Sequence, residues 1–157
     1  MDIGTIVNRM TKVAKYTERG AHKLIEEYNS IPLTLPVTDE GVRRICEVLT
    51  RNGYETEESC HGGKGHSSPM PCVWFVCPDA KHVRHLAYLI HHEHVANHFD
   101  WEITLECGDP AQIPFVYYIL QPHGPKPGEK PIDPVADRNA LLADLDLIGI
   151  TVMDYFK

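Results

Sequence analysis

The chain reads as a single α+β domain, 1–157, with helices packed on a mixed or mainly antiparallel sheet of four to five strands. Three observations predict this. Apolar residues recur at helical spacing in several separate stretches, and short period-two or unbroken apolar runs fall between them. The resulting order is helix, helix, strand, strand, helix, strand, strand, helix and a closing strand. The length gives room for one core and not for two.

The first stripe, Ile3, Val7, Met10, Ala14, Thr17, Ala21, Leu24 and Tyr28, follows alternating steps of four and three, widened by Ile6, Val13 and Ile25. It predicts one long amphipathic N-terminal helix over 1–30, weakened at Gly20 by about 1 kcal/mol relative to alanine. That stripe either docks on its own domain or forms a dimer arm, so a homo-oligomer is one candidate partnership. "IPLTLP" is an extended connector, because a residue before proline is pushed out of the helical region. In the next helix Thr38 is the expected N-cap, Val42, Ile45, Cys46 and Leu49 form the buried stripe, and Asn52-Gly53 ends it.

"YETEESC" alternates as a strand should, whereas "CVWFVC" is apolar on both faces and is expected to be central. A helix is predicted from 78 to 98. "WEITLEC" turns Trp101, Ile103, Leu105 and Cys107 inward, and "FVYYIL" is again apolar on both faces. Residues 121–134 carry five prolines and two glycines, an irregular excursion that serves as a lid or a spacer. Asp133 and Pro134 start a last helix that Gly149 is expected to stop, with "ITVMDYF" as a closing strand.

A net charge of -7 argues against general affinity for phosphate backbones or anionic membranes, so nucleic acid is not an expected partner. No apolar run approaches the roughly 20 residues of a membrane span, and the chain is expected to be cytoplasmic. Five irregularly spaced cysteines do not make a disulfide framework.

One stretch concentrates chemistry. "ESCHGGKGHSSPMP", residues 58–71, is longer than a plain hairpin connection of two to five residues. Gly62, Gly63 and Gly65 let the backbone bring its amides close to a ligand, and Lys64 adds a cation, so the loop suits a small molecule or anion. Cys60 and His66 complete that candidate ligand site. The same loop offers two rival chemistries. Cys60 is a candidate nucleophile with His61 or His66 as base, and all three suit zinc, the one cofactor the residue types suggest. Further metal donors come from "HVRHLAYLIHHEHVANH", where His91, His94 and His98 lie three and four apart on a helical wheel. Solvated histidines at the boundary of a helix give the same pattern.

The residues Gly53, Tyr54, Thr56, Ser59, Cys60, Gly62, Gly63, Gly65, His66, Pro69, Pro71, Val73 and Phe75 fit the pattern G-[FY]-x-T-x-x-S-C-x-G-G-x-G-H-x-x-P-x-P-x-V-x-F. In this stretch the chain resembles a group of small uncharacterised bacterial and phage proteins. The resemblance implies a shared loop architecture and no activity. Because position 61 varies in the pattern, it also ranks His66 above His61.

Overall fold

The computed structural model describes residues 2–13, 15–36, 39–60, 69–77, 79–91, 97–108, 111 and 116–157, apart from the side chains of 58–60. The expected α+β class holds, with five α-helices and a four-stranded antiparallel sheet among the described residues.

The N-terminal stripe is two helices, not one. Helix α1 spans Ile3–Thr11 and α2 spans Glu18–Asn29. The chain breaks ahead of Gly20, because Thr17 takes an extended conformation and its hydroxyl accepts from the Gly20 amide at 3.0 Å. Gly20 therefore sits in the first turn of α2 rather than at the break. Ile6, Val7, Met10, Ala21, Leu24, Ile25 and Tyr28 are all buried within the chain. A dimer arm would have to use other residues.

After a 3-10 turn at Glu40–Val42, α3 runs over Arg43–Arg51 with Val42, Ile45, Cys46 and Leu49 fully buried, as the periodicity predicts. The expected cap Thr38 lies outside the described residues. Gly53 turns the chain out of α3 at φ 90°, a backbone angle that favours glycine. The strands are β1, Glu55–Cys60, and β2, Cys72–Val76, followed by α4 at Ala80–His91. Next come β3, Trp101–Cys107, and β4, Val116–Pro122.

The sheet order is β1-β2-β4-β3, so β2 is internal, as its apolar faces require. One face carries Val73, Phe75, Leu120 and Trp101 into the main core with the helices. The other holds a smaller apolar group, Cys72 and Ile119 with Trp74 against them, and Trp74 contacts the Tyr117 ring edge-on at 6.0 Å. The inward alternation of β3 fails towards its end, where Leu105 is 59% exposed and Cys107 is exposed. β3 is an edge strand, and its far end reaches past the helical layer.

The last helix, α5, spans Arg138–Tyr155 and corrects two expectations. It passes through Gly149, and "ITVMDYF" continues it instead of forming a fifth strand. Gly149 is there for packing: a Cβ at that position would fall 2.8 Å from the Tyr28 hydroxyl and 2.9 Å from Cε1. Ile150, Thr151 and Val152 favour strands by propensity, but their burial among the other helices decides the outcome. Asp133 does act as a cap, accepting from Val135 N at 2.9 Å and Ala136 N at 3.1 Å, although the turn it closes leads into α5 rather than belonging to it. No helix among the described residues is long and apolar enough to cross a membrane.

Candidate functional site

Antiparallel pairing gives the sheet one chemically loaded end. Cys60 at the end of β1 faces Cys72 at the start of β2, and Pro122 at the end of β4 faces Trp101 at the start of β3. Val73 pairs with Leu120 between them, so all four termini lie at the same edge. The β1–β2 connection, the segment that leads into β3 and the segment that leaves β4 therefore meet the sheet there. These are the glycine loop, the histidine-rich stretch and the proline-rich excursion that the sequence singles out.

His61, Gly62, Gly63, Lys64, Gly65, His66 and His94 lie outside the described residues, as does the side chain of Cys60. His91 closes α4 and is exposed. His98 lies beyond α4, contrary to the predicted helix, because its amide and that of Phe99 donate to Asp144 at 2.8 Å each instead of to a preceding turn. Among the described residues no three His, Cys, Asp or Glu side chains gather round one metal position.

At this end a cavity of about 400 Å³ is lined by His98, Asp100, His123, Glu129, Lys130 and Asp137 among others. The Nδ1–H of His123 donates to the Gly124 carbonyl at 2.6 Å, which turns Nε2 towards Glu102, 3.7 Å away. Lys126 Nζ stands 3.8 Å from the Asp100 carboxylate. Both contacts lie at the surface and contribute little to stability.

His98 also lines a larger cleft of about 1060 Å³ between α1, α3 and α5. Its floor is ionic. Arg9 of α1 pairs with Asp144 of α5, which is wholly buried and also accepts from Trp101 Nε1 at 2.9 Å. Arg44 Nη1 donates to the carbonyls of Tyr28 and Ile31 at 3.1 and 3.4 Å. Asp146 accepts from the Tyr28 hydroxyl at 2.9 Å. Burial pushes the Asp146 carboxyl up to about 6, against the Tyr28 hydrogen bond and the Arg44 charge, which both hold it down. Arg43, at the start of α3, has a buried Nε with no hydrogen-bond partner.

The sequence reading missed this cleft. Its one local signal was two aspartates, Asp144 and Asp146, inside an otherwise apolar helical run, since a buried acid needs partners. No family model, curated protein or solved structure matches the chain.

Proposed function

We propose that the chain is a small-ligand-binding domain that takes an anionic ligand at the loop end of its sheet. The glycine loop would supply backbone amides from Gly62, Gly63 and Gly65 and the charge of Lys64, with Cys60 and His66 at its rim. One observation carries the reading: the strand order brings the termini that flank the glycine loop to the same edge as His98 and His123. Ligand sites built from several loops on a rigid sheet are a common solution, because the sheet fixes positions while the loops vary in chemistry.

Titration of the purified protein with inorganic phosphate, followed by residue-resolved amide shifts, tests it. Saturable shifts at 62–65 that weaken about tenfold in Lys64→Gln support the site. Shifts absent from 62–65 overturn it. Metal analysis of the same sample reads the rival chemistry, since stoichiometric zinc lost on Cys60→Ser would replace an anion loop by a metal centre.

A further inference from the structure

We infer that the cleft between α1, α3 and α5 is a second binding site, one that holds the oxyanion end of a small polar molecule on Arg43 and Arg44. The cleft, at about 1060 Å³, lies at the upper end of the range of small-molecule sites. What selects an oxyanion is how the charges in it are already engaged. Arg9 is matched by Asp144. Arg44 spends two donors on neutral carbonyls and so keeps its charge. The Arg43 side chain has no ion pair or hydrogen bond among the described residues, and its Nε is buried. A buried guanidinium N–H without an acceptor is costly, and the planar fork of a guanidinium matches a carboxylate or phosphate oxygen pair.

Of the cleft's acids only Asp146 feels an arginine, the Arg44 charge lowering its carboxyl, and none is placed as a counterion of Arg43. Asp2 caps α1 by accepting from the Thr5 amide at 3.2 Å, and Asp146 is held by Tyr28. Glu40 lies in the 3-10 turn and makes no ion pair with either arginine. They would instead accept hydrogen bonds from hydroxyl or amine groups on the rest of the ligand, as Asn29 and Asn139 on the lining can do from either side of the exchange. A ligand with one oxyanion and several hydrogen-bonding groups fits this lining better than a purely apolar one or a bare polyanion.

The test follows the Arg43 Nε–H signal of the intact protein by NMR during separate titrations with inorganic phosphate and acetate. A saturable shift with either anion supports the site, and the anion that binds more tightly names the oxyanion. Arg43→Gln should weaken binding at the cleft at least tenfold, read on the Gly41 and Arg44 signals, while Lys64→Gln leaves it unchanged. Should Arg43→Gln not fold, Arg43→Lys, which keeps the charge but loses the fork, should weaken binding by a smaller factor. An Arg43 signal that neither anion moves, or affinity unaltered in the Arg43 variants, overturns the inference. The glycine-loop signals report independently, so failure at one site leaves the other standing.

Discussion

Trp101 donates its indole N–H to the Asp144 carboxylate across 2.9 Å, and both groups are buried. The two residues begin β3 and sit within α5, so this one bond ties the sheet to the helical layer. The same carboxylate takes the amides of His98 and Phe99 and the guanidinium of Arg9. It thereby fixes the segment that enters β3, and with it the position of His98 between the two cavities.

Asp144→Asn is expected to lower unfolding stability by about 3–5 kcal/mol, because it takes a buried carboxylate charge away from the mostly buried Arg9 and turns an amide donor towards donors. Arg9→Met should cost less, since three N–H donors still satisfy the carboxylate. Urea unfolding at pH 7 reads both. An Asp144→Asn loss no larger than that of Arg9→Met would remove Asp144 from its role as the hub.

Gly149 and Tyr28 give a second, independent contact. Gly149→Ala is expected to cost about 1–3 kcal/mol, because the new methyl meets the rigid Tyr28 ring and hydroxyl at less than van der Waals distance. In a Tyr28→Phe background the penalty should shrink, as the nearest atom is gone. Thermal unfolding of the four members of that double-mutant cycle measures the coupling, and a penalty of the same size in both backgrounds would refute the contact.

These contacts also mark where sequence reading stops. The stripe Val42, Ile45, Cys46, Leu49 was legible because helical burial repeats every three to four residues, and the internal place of β2 was legible because both its faces are apolar. Gly149 looked like a helix stop, and only the Tyr28 ring, 121 positions earlier in the chain, gives the glycine its reason. Alternation gave the faces of β3 but not how far the helices cover it, hence the exposed Leu105. The candidate ligand loop is a reading of the sequence alone, since Gly62 to His66 lie outside the described residues, whereas the arginine cleft depends on residues from three helices that no local spacing connects.

Glu47 anchors the extended connector to α3. It accepts from Thr34 Oγ1 at 2.6 Å, Thr34 N at 3.1 Å and Leu35 N at 3.2 Å. Burial alone would raise its carboxyl, but the hydrogen bonds from Thr34 and Leu35, with the Arg51 charge, bring it below its usual value of 4.5. A lowered carboxyl stabilises the fold above the unfolded value and loses that contribution as pH falls through the folded one. Glu47→Gln should therefore be less stable than wild type by about 1–2 kcal/mol at pH 7. The gap should close as the pH drops below 4.5, read by urea midpoints across the range.

Asp146 should act in the opposite sense. Its folded carboxyl is raised by burial to about 6, while the unfolded one ionises near the ordinary 3.8. Below the unfolded value both states hold the proton and the residue costs nothing. Between the two values the folded state keeps a proton that the unfolded state releases, so stability declines as pH rises, and above 6 the full cost of a buried charge remains. Asp146→Asn keeps an acceptor for the Tyr28 hydroxyl and removes the charge. It is expected to be more stable than wild type at pH 8, by at most about 3 kcal/mol. The advantage should shrink steadily through pH 5 and vanish by about pH 3. Because Glu47 and other groups titrate in the same window, the quantity to compare is the difference between variant and wild type at each pH. A difference that stays flat from pH 3 to pH 8 would mean that the Asp146 carboxyl is solvated in the cleft and ionises at its ordinary value.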